Sequence, residues 1–451
     1  MILMKTITKE NRTFIKTIGR LAPPIVLQEI LNALVNIIST IMIGRAIGAY
    51  HSIAIGVANQ IFMSYSLVMV GIVGGCSVFI GQYYGKGERD NILKIMGIGF
   101  AVIISTTFLF FIFTLFFPSR IIRIFTRESE AIYLGTNYIR IVSFSYFLFS
   151  ITFLRNSAMR AMGFTKVPFI TTCITLSISF LFHYILIFVF FVDFYILAFI
   201  PIVARTVEIF VQEIYIRKYK IPIKGTIKQY FNFDKGYVKN FFRISIFIIL
   251  NMIVRSLVAS SYTISYGFLD RDSQSAIQMA NAVLQIIQII GGSIGMTTGV
   301  IIANTLGRGN IELAKRYARK SLLFASFIGL FVSVTFALLA PYIASFYMVN
   351  SQIEKTYIIR IIYVASFGFI FRVCAFVNVI GTLRSGGDTR FCFLLVLFTG
   401  LFVGLPLSFA SAIFWGWPVY MVVACMYAEE IAKFIISYIR VRTNKWANRI
   451  V

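Results

Sequence analysis

AVIISTTFLFFIFTLFF, residues 101–117, carries no charge and breaks its apolar run only at Ser105, Thr106, Thr107 and Thr114. A segment this apolar is stable where lipid replaces water, and about 20 such residues cross the hydrocarbon as a helix. Working outward, further stretches of the same kind fall near 18–43, 52–80, 131–158, 167–190, 194–214, 238–268, 274–305, 319–345, 356–380, 391–413 and 417–439, with 91–117 around the first. Closed barrels would show alternating segments of about ten residues, so these runs predict helices. The whole chain agrees: 59% of its 451 residues are apolar and 13% charged. The expectation is an all-α integral membrane protein with twelve transmembrane helices. Glu29 and the length of the first span argue against a cleavable leader.

Lys and Arg residues outnumber Asp and Glu, giving a net charge of +25. Their positions explain the excess. Loops on the side of the amino terminus hold 28 Lys and Arg, from Lys5 through the Arg217–Lys239 segment to Arg449. The opposite loops hold 6: Arg45, Arg120, Arg123, Arg127, Arg271 and Lys355. The positive-inside rule then predicts a multi-pass protein of the cell (plasma or inner) membrane with both termini cytoplasmic. The charge sits against anionic lipid head groups and calls for no nucleic acid. The five cysteines are dispersed without CxxC, and neither GKG (85–87) nor GRG (307–309) completes a P-loop, so no metal, cofactor or enzymatic activity is expected.

The two halves repeat in a single register. Ala54, Ala58 and Asn59 match Ala276, Ala280 and Asn281, and YYGKGERD from Tyr83 matches TLGRGNIE from Thr305. With a short insertion of two positions, AMRAMGFTKVPF from Ala158 matches TLRSGGDTRFCF from Thr382. A duplicated six-helix unit follows, giving lobes at 1–216 and 238–451 joined by a basic linker, 217–237.

Polar residues inside the spans form stripes. Glu29, Asn32, Asn36 and Ser39 are spaced 3, 4 and 3, as are Gln278, Asn281, Gln285 and Gln288, so each set occupies one helix face. Such faces serve as interhelical hydrogen-bonding seams or as the lining of a wet cavity, and cavity lining is the reading adopted. A carboxylate within the membrane must be paired, protonated or bound to a cation, which makes Glu29 the leading candidate for coupling to H⁺ or Na⁺, with Asn32, Asn36 and Ser39 beside it. Arg255 and Arg372 have no carboxylate in their own helices and are candidates for the cleft wall.

These motifs resemble the multidrug and toxic compound extrusion (MATE) family. The resemblance is carried by TIMIGRAIGAYHSIAIGVANQI from Thr40, GQYYGKG from Gly81, AMRAMGFTKVP from Ala158, IANTLGRGN from Ile302 and GTLRSGGDTRF from Gly381. It implies two pseudo-symmetric six-helix lobes around a central cleft, exchanging H⁺ or Na⁺ for cationic or amphiphilic organic compounds by alternating access. Where family members commonly carry acids, this chain has Ser39, Asn251 and Val373 beside Arg372, so Glu29 is expected to take over the coupling role. The expected cargo wall comprises Asn59, Tyr146, Phe149, Asn251, Arg255, Tyr262, Gln278, Asn281, Gln285 and Arg372, in a functional monomer surrounded by membrane lipid. The alternative is a flippase or exporter of lipid-linked or anionic amphiphiles, for which membrane-embedded Arg255 and Arg372 would bind phosphate.

Overall fold

A computed structural model describes residues 2–46, 49–190, 192–347 and 351–451, without the side chains of 2–9 and 35–49. Each expected span is helical. They are α1 (Ile2–Ala46), α2 (Ala49–Lys86), α3 (Arg89–Phe116), α4 (Ser129–Val142 and Ser145–Ala161), α5 (Lys166–Phe188) and α6 (Phe194–Lys218), then α7 (Lys235–Tyr266), α8 (Arg271–Gly307), α9 (Ile311–Ser345), α10 (Gln352–Leu383), α11 (Thr389–Phe414) and α12 (Val419–Arg442). Among the described residues nine helices are long and apolar enough to cross a bilayer, and α4, bent by 53°, makes ten. The bend has a local cause: the Ser143 and Ser145 hydroxyls donate to the carbonyls of Arg140 and Val142, at 2.9 and 2.6 Å.

The helices are sorted by size as well as by polarity. On α9, Leu323, Phe327, Leu330, Phe331 and Leu338 point outward, while Ala314, Ala318, Ser321, Ala325 and Gly329 are buried. That pattern inverts a soluble helix, because lipid accepts large apolar groups and close packing between helices favours small ones. A Cβ on Gly329 would stand 2.7 Å from Val373 Cγ1, and one on Gly368 would overlap the Tyr427 ring. α10 is thereby clamped between α9 and α12.

Two pairs of turns preserve the duplication. Gly87 and Gly309, matched in the register of the repeat, have φ of +84° and +77°, and Gly163 and Gly387 both have φ of +86°. Each closes its helix alike: the Gly163 and Phe164 N–H groups donate to Arg160 and Met159, as those of Gly387 and Asp388 do to Arg384 and Leu383. Left-handed backbone at these positions favours glycine. The second pair is displaced by two further positions relative to the first, so the insertion read from the motifs is real.

The chain divides into two compact units, Pro23–Ser245 and Met1–Ala22 with Ile246–Val451. These boundaries differ from the expected 1–216, 217–237 and 238–451 at both junctions. Residues 1–22 belong to the carboxyl-terminal unit, where Glu10 bonds Lys320 at 2.9 Å and lies 3.4 Å from Arg316, and Phe14, Ile18 and Leu21 are buried with Ile301. The basic segment is no loose linker. It docks on α3, with Arg89 Nη2 donating to the Lys224 carbonyl at 2.7 Å and Tyr237 Oη to Asn91 Oδ1 at 2.8 Å. Gly97 makes room for it, since a Cβ there would overlap the Tyr230 carbonyl oxygen. Charge marks this segment as polar, but charge says nothing of a glycine notch on a neighbouring helix.

Candidate functional site

The α8 stripe survives as a distinct surface. Ala276, Ile277, Ala280, Val283, Leu284 and Ile287 are buried in the core of the carboxyl-terminal unit, whereas Gln278 and Gln285 are exposed and Asn281 is half-buried. Among the described residues none of these three polar side chains has a hydrogen-bond partner. A seam between packed helices would have satisfied them. In the amino-terminal unit Asn32 and Asn59 are half-buried. The side chains of Asn36 and Ser39 lie outside the described residues.

Glu29 stands opposite Arg160. Its Oε1 is 3.6 Å from Arg160 Nη1, and a third of its side chain is exposed. Gln28, buried beside it, accepts from the same Nη1 at 3.2 Å and donates to Thr172 at 2.9 Å. Arg160 is thus shared between a carboxylate and an amide. The deeper acid of this unit is Glu208 in α6, which its spacing presents as a local pair with Arg205. That bond exists, at 2.6 Å, but Glu208 also accepts from Asn156 at 2.9 Å, and Gln212 bonds Asn156 Oδ1 at 3.0 Å. Glu208 is almost fully buried and joins α4 to α6.

Tyr146 and Phe149, expected to face cargo, are packed instead. The Tyr146 ring stacks on Tyr65 at 5.0 Å, and Phe149 meets Phe62 edge-on at 4.9 Å and lies under the Arg205 guanidinium at 5.1 Å. Their large rings pack α4 against Phe62 and Tyr65 of α2.

In the carboxyl-terminal unit the expected residues converge on a cluster that no single helix displays. Tyr262 of α7 donates to Glu429 of α12, which pairs with Lys433. Glu430 lies 3.3 Å from Lys433 and 3.7 Å from Arg372 of α10. Tyr262 is therefore a buried donor to an acid rather than a cleft aromatic, and Arg372 is held by a carboxylate. In sequence Glu429 and Glu430 look like a charge cluster at the inner end of the last span. The signal that could have placed them deeper is Arg372, which is unpaired in its own helix and so points to an acid elsewhere.

Beside this cluster lies a cavity of about 40 Å³ bordered by Asn251, Arg255, Arg384, Cys392, Glu430 and Lys433, with room for a few waters. Asn251 donates to the Cys392 carbonyl at 3.0 Å. Arg255 sits 5.3 Å from the Phe376 ring. Neither Arg255 nor Arg384 forms a salt bridge among the described residues. α10 ends in a π-helical stretch, Val377–Leu383, immediately before Arg384. No cluster of His, Cys, Asp and Glu suited to a metal occurs among the described residues.

Helical halves with buried ionic clusters and an exposed polar stripe define a multi-pass membrane transporter. The MatE family model matches residues 24–185 and 246–410, and the chain belongs to this family. The two matched segments begin in the same register that pairs Gly87 with Gly309. "Probable multidrug resistance protein YoeA" of Bacillus subtilis (strain 168) is 21% identical over 396 residues, covering 86% of this chain and 84% of its own length. A crystal structure of MATE in complex with MaL6 superposes with a TM-score of 0.85 at 15% identity, covering 95% of this chain and 97% of that one. A MOP superfamily transporter from Pyrococcus furiosus, whose binding pocket of reverse polarity is said to suggest a different function, superposes equally well, with a TM-score of 0.85 at 15% identity and 95% of both chains covered. The architecture is that of two pseudo-symmetric helical bundles, and membership of the family makes the chain a secondary active transporter of the antiport type.

Proposed function

We propose that the chain exports amphiphilic organic compounds, cationic ones included, across the cell membrane in exchange for H⁺ or Na⁺, acting as a monomer with both termini cytoplasmic. The observation that carries this reading is the row of uncommitted polar side chains on α8, Gln278, Asn281 and Gln285, set against a fully packed opposite face. Polar groups without partners in a membrane protein need water or a solute. Asn59, the repeat counterpart of Asn281, and Asn32 supply the matching groups in the amino-terminal unit.

Glu29 is the coupling carboxylate in this scheme. Its 3.6 Å contact with Arg160 is loose and partly open to water, so a proton or Na⁺ can compete with the guanidinium. Occupancy by the ion would release Arg160 to Gln28 alone and bias one conformation over another. The test is transport by Glu29→Gln in proteoliposomes with H⁺ and Na⁺ gradients imposed separately. Gradient-driven export should fall by about tenfold or more, as expected when a differential interaction of a few kcal/mol is removed, while cargo binding persists. Unchanged export under both gradients would refute the assignment of Glu29.

A further inference from the structure

The duplication supplies an internal control for the cavity in the carboxyl-terminal unit. Position 29 corresponds to 251 in the register that pairs Gly87 with Gly309, and 160 corresponds to 384 through the turn pair Gly163 and Gly387. In the amino-terminal unit this pair of positions is Glu29 and Arg160, in contact at 3.6 Å. In the carboxyl-terminal unit it is Asn251 and Arg384. The arginine is common to both units, and where one unit has a carboxylate the other has a neutral amide one methylene shorter. The place where the carboxylate would stand is a cavity, which Asn251 and Arg384 both border.

A second positive charge has been added there. Arg255 borders the same cavity, one turn of α7 beyond Asn251, and its charge and that of Arg384 act on each other. The neighbouring acids compensate only in part, since Glu430 acts on Arg255 as well as on Lys433 and Arg372. Glu429 and Glu430 are engaged by Lys433 and Arg372, so four cationic groups, Arg255, Arg372, Arg384 and Lys433, share two carboxylates. Two positive charges remain in excess around a largely apolar pocket, where unpaired charge is strongly disfavoured.

We propose that this cavity is an anion-binding site in which Arg384 and Arg255 hold an oxyanion group, a carboxylate or phosphate, at the place that Glu29 fills in the other unit. Two planar guanidiniums suit paired oxygens, and the Asn251 amide is at hand as a further donor. The space takes the charged group rather than a whole drug-sized molecule, so the ligand is an organic anion whose remainder lies outside the cavity. This deepens the transport reading by adding anionic groups to the cargo the chain recognises. It rests on that reading only for the fate of the ligand, since binding is measurable by itself.

The experiment uses the purified full-length chain in nanodiscs of neutral phosphatidylcholine, titrated calorimetrically at constant ionic strength. The probes are inorganic phosphate and benzoate, with tetraphenylphosphonium as a cation of the opposite sign. Phosphate or benzoate should bind saturably, and Arg384→Gln and Arg255→Gln should each weaken binding by about tenfold or more, the loss expected for a charge-assisted hydrogen bond. Asn251→Glu restores the internal carboxylate; it should abolish anion binding and raise the unfolding temperature. That variant decides the matter even if the arginine variants fold poorly. Anion binding by Asn251→Glu equal to that of the unsubstituted chain, or no saturable anion binding by the unsubstituted chain, would overturn the site. Repeating the titration with phosphatidic acid in the nanodiscs separates the sources: displacement of phosphate assigns the site to a lipid head group, and undiminished binding assigns it to a soluble anion. Binding intact with export absent would sink the transport reading alone, whereas export intact with no anion binding would sink the site alone.

Discussion

The amino-terminal unit pairs Glu208 and Arg160 internally, and the carboxyl-terminal unit leaves cations in excess around its acids. Glu208 is met by Arg205 and Asn156, and Arg160 by Glu29 and Gln28. In the other half Glu429 and Glu430 are divided among a larger number of cations beside an open cavity. Both halves descend from one six-helix pattern and keep the same glycine turns, so the backbone did not impose this difference. A few side-chain exchanges at matched positions did, Glu29 against Asn251 foremost. A duplicated scaffold can thus give the matched arginine an internal acid in one half and leave it to a ligand in the other.

The sharpest way to break this comparison is to remove an acid from each half. Glu208→Ala leaves buried Asn156 and half-buried Arg205 without their acceptor and opens a cavity, and should destabilise the chain by about 3–4 kcal/mol. Glu430→Gln should cost less, about 1–3 kcal/mol, because Lys433 retains Glu429, the Gln amide oxygen can still accept from Arg372, and Arg372 keeps the Tyr427 ring. Thermal unfolding in detergent ranks the two, and equal losses would mean that both clusters are equally closed. Next in size is Gly97→Ala, which forces a Cβ against the Tyr230 carbonyl and should cost about 1–3 kcal/mol by overpacking. Its signature is local: faster trypsin cleavage at Lys224 and Lys228 with α8–α12 unaffected. If cleavage is unchanged, the basic segment is not held by α3. The smallest stability effect belongs to Gln285→Ala, within about 0.5 kcal/mol for an exposed position. Export should nonetheless fall or change its cargo preference, and unaltered transport of every tested cargo would remove the α8 stripe from the pathway.

Much of the fold is legible in sequence because lipid is a demanding solvent. A segment such as 101–117 has few alternatives to a membrane helix, and the matched motifs at Gly87 and Gly309 reveal the duplication without coordinates. The stripe on α8 is also readable, since a 3, 4, 3 spacing places Gln278, Asn281 and Gln285 on one face whatever surrounds the helix. Tyr146, Phe149 and Tyr262 show the limit of that reasoning. Their residue types suit a cleft wall equally well, and only packing shows two set against α2 and the third donating to Glu429.

Sequence by itself determined the helices, their approximate ends, the repeat and the sign of each buried charge, because these follow from local composition and from solvent chemistry. Tertiary structure decided which charges meet. Arg372 of α10 finds Glu430 of α12, Glu208 of α6 finds Asn156 of α4, and Arg160 at the end of α4 finds Glu29 of α1. Partnerships between helices so far apart in the chain depend on how those helices pack, and packing here turns on notches as small as Gly97 and Gly368. The empty partner position beside Arg384 could be recognised only when its filled counterpart beside Arg160 was seen in space.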